Sequence, residues 1–115
     1  MALDKPIAKF ATVETWRSGL HEQWGEEPEM AERLATIERF CAFTGKDPDT
    51  MIAECTREVE SGKRIRIKGR REYSEKIAEF QAAEGGTARE QGKVGNLVRG
   101  FFIYNGIFMQ AGLSG

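Results

Sequence analysis

"GGTAREQGKVGNLVRGFFIYNG", residues 85–106, is the stretch whose reading decides the fold. Gly85 and Gly86 break the chain, and Thr87 is a residue type that caps a helix by accepting from its first backbone amides. At 100° per residue, Val94, Leu97, Val98 and Phe101 fall within about 100° of one another, with Phe102 at the margin. Arg89, Lys93, Asn96 and Gly100 fall within about 60° on the opposite side. The spacing predicts a helix from Thr87 to about Asn105, stopped by the Asn105–Gly106 pair. One of its faces belongs to a core, and the other is a strip of cations with an amide and small residues. Gly92 and Gly95 lie near that strip. A glycine inside a helix lowers stability by roughly 1 kcal/mol relative to alanine, so their presence implies that something approaches this backbone closely.

The same periodicity recurs upstream. Phe10, Val13, Trp16 and Leu20 mark a short helix over 10–20, bounded by Gly19 and Gly25, with Trp24 packing down as a lid. Met30, Leu34, Ile37, Phe40 and Cys41 form the apolar stripe of a helix over about 28–44. Pro28 suits its first turn, Glu26, Glu27 and Glu29 suit its positive end, and Gly45 stops it. Asp47 and Pro48 open a third helix, whose inward residues are Met51, Ile52, Cys55 and Val59 and whose end is Gly62. Tyr73, Ile77 and Phe80 line a fourth, from Gly69 to Glu84. The expectation is an all-α fold, a compact bundle of about five short helices. Residues 1–9 form a flexible N-terminal arm, 10–107 the helical domain and 108–115 an apolar tail or the start of a linker. A chain of 115 residues fits one such domain.

Charge is unevenly spread. Residues 1–56 hold six Lys/Arg against eleven Asp/Glu, whereas residues 57–115 hold eleven against seven, so a net charge of −1 hides a basic second half. Its centre is "KRIRIKGRR", residues 63–71, in which six of nine residues are cationic. "RIRI" alternates like a strand, but no turn dipeptide flanks it and a strand without a partner is not a sheet. The segment 61–68 therefore reads as a connection or an irregular helical lead-in. Ile65 and Ile67 turn inward, and Lys63, Arg64, Arg66 and Lys68 are left to meet an anionic backbone, with Arg70 and Arg71 following. Arg89, Lys93 and Asn96 on the final helix add cations and an amide able to bond a base edge or a phosphate.

Enzyme signatures are missing. No phosphate-binding glycine loop, paired-histidine zinc motif or nucleophile elbow is present, and the lone His21 sits in a polar stretch that suits a surface position. Cys41 and Cys55 lie among apolar residues without metal-like spacing, so they read as reduced core thiols of a cytoplasmic protein. No cofactor or metal is expected. No secretory signal is recognised, and no apolar run is long enough to span a membrane.

In order, "IERFCAFTGKDPDTMI" (37–52), "REYSEKIAEFQ" (71–81) and "GGTAREQGKVGNLVRGFFIYNGI" (85–107) resemble the N-terminal core-binding domain of the tyrosine recombinase, or phage integrase, family. The residues that carry the resemblance are Phe40, Phe43, Gly45, Lys46, Asp47 and Pro48, then Gly86 and Thr87, then Arg99, Phe101, Phe102, Asn105, Gly106 and Ile107. The resemblance implies a SAM-like helical bundle that clamps double-stranded DNA opposite a separate catalytic domain. It implies that the final helix, with Arg89, Lys93 and Asn96, and an earlier helix face the major groove. The family's catalytic Arg, His-x-x-Arg and Tyr have no counterpart in context here. The expectation is a non-catalytic fragment or relative, partnered by a catalytic domain in cis and with room for self-association on DNA. The alternative is a small helical protein-interaction module, in which the apolar tail "IFMQAGL" (107–113) docks on a partner and the basic run meets an acidic peptide.

Overall fold

The computed structural model describes residues 3–26 and 29–110. After a single 3-10 turn (Ile7–Lys9) come α1 (Ala11–Trp24), α2 (Met30–Thr44) and α3 (Pro48–Glu54). A two-stranded antiparallel hairpin follows, β1 (Thr56–Val59) and β2 (Gly62–Ile65), and then α4 (Ile67–Glu84) and α5 (Ala88–Tyr104). The chain is thus mostly helical, with a small sheet that corrects the all-α expectation.

The final helix forms as its sequence dictates. Thr87 Oγ1 accepts from the Glu90 amide at 3.1 Å, and the Glu90 carboxylate accepts from the Thr87 amide at 2.9 Å, so two otherwise orphaned donors are satisfied reciprocally. A three-residue connection reverses the chain between α4 and α5, and the pairing is antiparallel: Tyr73 meets Phe102 while Gln81 meets Gly95 and Arg99. Val98, Phe101 and Phe102 are fully buried, and Val94 and Leu97 pack at the edge of the core. Phe101 stacks edge-on against Trp16 of α1 at 5.6 Å, and Phe102 meets Phe40 of α2 at 6.4 Å. Ile37, Phe40, Ile77 and Phe80 share this core as expected.

Several features depend on contacts remote in sequence. Phe10 precedes α1 and offers no capping side chain; Asp49 of α3 instead accepts from the backbone N–H and the hydroxyl of Thr12, at 2.9 and 2.6 Å. Asn105 donates to the carbonyls of Thr12 and Phe101, tying the end of α5 to the start of α1. Gly19 lies inside α1 rather than at its end, and a Cβ there would stand 2.3 Å from the Tyr104 ring. Trp24 is the last residue of α1 and is 61% exposed, so it is not a lid.

Two boundaries differ from the sequence reading. The third helix ends at Glu54 instead of Gly62, because residues 56–65 form the hairpin and Val59 belongs to β1. Ile107 and Met109 of the expected tail are buried in the core, which leaves Phe108 as its exposed apolar residue among those described. In the N-terminal arm, Leu3 and Ile7 pack against the same core. The expected place of Glu27 and Pro28 in the start of α2 lies outside the described residues. Glu29, immediately before α2, adopts a left-handed conformation at φ 52°.

Cys41 and Cys55 are free thiols, 1% and 0% exposed. Burial, reinforced by Asp47 and Glu38, pushes the Cys41 thiol up to about 12. Burial, reinforced by Glu54, does the same for Cys55. No helix among the described residues is long and apolar enough to cross a membrane. Two outcomes follow from this packing. Phe101→Ala is expected to lower stability by about 3–5 kcal/mol in denaturant titration, whereas Trp24→Ala changes it by less than about 0.5 kcal/mol. A thiol reagent at mildly alkaline pH is expected to label neither cysteine in the folded chain and both after unfolding without reductant.

Candidate nucleic-acid interface

The basic run is half of a hairpin. Its register pairs Thr56 with Ile65, Arg57 with Arg64, Glu58 with Lys63 and Val59 with Gly62. The β-branched residues Thr56, Val59 and Ile65 favour extended backbone, and Glu60 and Ser61 form the turn. The positive φ falls on Gly62, at 128°, rather than on the turn residues, so the Asn-Gly or Asp-Gly signature of a tight hairpin is absent.

A lone hairpin is marginal in water, and this one is anchored where it meets the bundle. The Arg66 amide donates to the Cys55 carbonyl at 2.7 Å, extending the ladder one pair beyond β2. Gly69, in the first turn of α4, is buried against the end of α3; a Cβ there would stand 2.1 Å from the Glu54 carbonyl oxygen. Ile65 and Ile67 do not turn inward: they are 38% and 65% exposed. Anchoring by backbone and Gly69 takes the place of the expected apolar anchors.

Lys63 and Arg64 lie on β2, Arg66 immediately precedes α4 without capping it, and Lys68, Arg70 and Arg71 occupy its opening residues. All are exposed except Arg70, which is half-buried. The hairpin brings Arg57 into the same group, a residue that its sequence context did not single out. Among the described residues, none of these seven cations forms an ion pair with a carboxylate. Four of the described cations elsewhere do find carboxylates, Lys93 among them. Arg39 pairs with Glu84 at 2.8 Å, Lys46 with Glu54 at 3.1 Å and Lys76 with Glu79 at 3.8 Å. α4 also opens without an acidic residue in its first turn, although cations there oppose the helix dipole.

Beside the hairpin, Arg66 and Lys68 line one wall of a cleft of about 370 Å³, and Glu54, Tyr73 and Lys76 contribute to the rest. The Tyr73 hydroxyl donates to the Glu54 carboxylate. That bond is the main reason the Glu54 pKa is lowered, with Lys46 and Arg66 adding to it. Burial first, and then Glu54, raises the Tyr73 pKa, so the phenol keeps its proton.

The α5 strip is a separate place. Arg89 and Lys93 sit near the far end of α4, roughly 24 Å along that helix from Lys68. Lys93 lies 3.7 Å from Glu32 and 4.0 Å from Glu29. Asn96 is exposed, but its Oδ1 accepts from the Arg99 guanidinium at 3.0 Å. Arg99 is 5% exposed, donates also to Gln81 at 3.0 Å, and has its pKa lowered by burial. The close approach implied by the glycines is intramolecular: a Cβ on Gly95 would stand 1.9 Å from Gln81 Oε1, whereas Gly92 faces open space. His21 is exposed on α1, and no group of metal-ligating side chains occurs among the described residues.

Comparison of the chain with family models, with curated proteins and with solved structures finds no match.

The two glycines make a paired test. Gly69→Ala must displace backbone and is expected to destabilise the chain by about 1–3 kcal/mol. Gly92→Ala meets nothing and is expected to stabilise it by about 1 kcal/mol. Denaturant titration of both variants reads the two signs directly.

Proposed function

We propose that this chain is a non-catalytic module that binds double-stranded DNA, of the SAM-like core-binding kind that its sequence resembles in tyrosine recombinases. In this reading it works in the cytoplasm, clamping duplex opposite a catalytic domain in cis. One observation carries the reading: among the described residues, seven cations clustered on the hairpin and the start of α4 stand without carboxylate partners, while Arg39, Lys46, Lys76 and Lys93 elsewhere on the surface are paired. Polyanionic backbone supplies the missing counter-charge, and the release of its condensed ions drives association. A two-stranded ribbon is also one of the shapes that a major groove admits. The hairpin end is the principal contact, and Arg89, Lys93 and Asn96 are a secondary one, because Glu29 and Glu32 lie beside Lys93.

A second reading, docking of an acidic, partly apolar peptide, is favoured by one place. Ile67 and Phe108, 65% and 58% exposed, flank Arg70 and Arg71 along a cleft of about 350 Å³. The burial of Ile107 and Met109 withdraws two apolar residues of the tail on which that reading otherwise depends, and residues 111–113 of that tail lie outside the described residues.

Titration of a random-sequence duplex at several salt concentrations tests the proposal. About four neutralised phosphates give log affinity a slope near −3.6 against log salt. Replacing Arg64, Arg66 and Lys68 together by Ala is expected to weaken binding to every sequence and to make that slope shallower by about two or more. An unchanged affinity and slope in the triple variant rejects this face as the DNA contact.

A further inference from the structure

The hairpin register sorts its charges by face. Residues directly opposite in an antiparallel pair project to the same side, and side chains alternate along each strand. Arg57 and Arg64 are therefore neighbours on one face, and Glu58 and Lys63 are neighbours on the other. Arg66, two residues beyond Arg64 with extended backbone at φ −86° and ψ 110°, continues the arginine face. Among the strand residues that face carries no carboxylate, and of its three guanidinium groups only Arg66 has one nearby, Glu54 across the cleft. The other face carries one charge of each sign, together with Thr56 and Ile65.

Like charges placed directly opposite destabilise a sheet, and opposite charges stabilise it. The free chain therefore holds an unfavourable pair on one face of a hairpin that is marginal by itself, and holds the favourable arrangement on the other. No ion pair relieves Arg57 or Arg64 among the described residues. Each guanidinium presents a planar fork of donors that matches a phosphate. A ribbon of four-residue strands, about 13 Å long, spans the distance between phosphates across a groove.

We infer that Arg57, Arg64 and Arg66 form the phosphate-contacting face of the hairpin, and that Lys63, opposite Glu58 on the other face, contributes little. The inference rests on the DNA-binding reading above and names the contact residues of that same surface. It adds Arg57, which lies outside the basic run, and removes Lys63, which lies within it. Phosphate oxygens between Arg57 and Arg64 turn their mutual repulsion into two charge-assisted hydrogen bonds, so the strain of the free hairpin is relieved on binding.

The test uses the full chain and a fluorescently labelled random duplex of about two helical turns, read by anisotropy. Arg57→Gln is expected to weaken binding about five- to tenfold near 0.1 M salt and to make the salt slope shallower by about 0.9. Arg57→Lys keeps a cation in place and retains the slope. Lys63→Gln stays within about twofold of the unaltered chain. Without DNA at low salt, Arg57→Gln is expected to raise the melting temperature by about 1–4 °C, because the cross-strand repulsion is gone. A contact that was merely structural would lower it. The inference fails if the unaltered chain binds and Arg57→Gln binds as well as Lys63→Gln, or if Arg57→Gln melts lower. Failure of the unaltered chain to bind duplex rejects the DNA-binding reading and this inference together.

Discussion

Phe101 and Phe102, consecutive on α5, point about 100° apart around the helix, and both are fully buried. They can be buried together only if helices cover two adjacent sides of α5. Phe101 takes Trp16 of α1 as its neighbour; Phe102 takes Phe40 of α2 and Tyr73 of α4. The rings themselves are 5.4 Å apart, so the two halves of the core meet at this pair. Close packing of α1 on α5 then requires Gly19 under Tyr104. On the α4 side, Gly95 makes room for Gln81, which with Asn96 satisfies the buried Arg99 guanidinium. A buried charge held only by two amides is costly unless each bond is made, so this cluster specifies how α4 and α5 are aligned.

Charge separates along the molecule because the antiparallel pairing of α4 and α5 does so. The start of α4 and the hairpin form a cationic end. The end of α4 and the start of α5 lie near Glu84, Glu29 and Glu32, where Arg39 and Lys93 find partners. Exposed pairs of that kind contribute little stability, about 0–1 kcal/mol each. Their consequence is electrostatic: they offset cations at one end, whereas at the other Arg57, Lys63, Arg64, Arg66, Lys68, Arg70 and Arg71 outnumber Glu54, Glu58, Glu60 and Glu72. A net charge near zero is therefore compatible with a strongly directional surface.

Helix positions and the core of α5 were legible from periodicity and punctuation. The capping box at Thr87 and Glu90, the cap at Asp47 and the stop at Gly45 act within one turn, and their signals lie within a few residues of sequence. The hairpin was not legible. Its turn lacks the usual dipeptide, its strands are four residues long, and β1 is read as the natural continuation of the Met51–Cys55 apolar stripe. What ends α3 is the meeting of its last carbonyls with Gly69 and the Arg66 amide, residues that follow it by more than ten positions. The candidate site shared this fate. The cations of residues 63–71 were visible as a run, whereas Arg57 acquires meaning only through its cross-strand position.

By itself, the sequence determined a small, mostly helical unit, its principal apolar faces and a basic second half, because composition and local hydrogen bonding act over one or two turns. The tertiary structure alone decided that the basic run is one strand of a ribbon, that Arg57 stands beside Arg64, and that Lys93 stands beside two glutamates. Charge acts through space and is indifferent to order along the chain. Whether a cation is neutralised or left facing solvent therefore depends on which distant backbone the fold carries to its side.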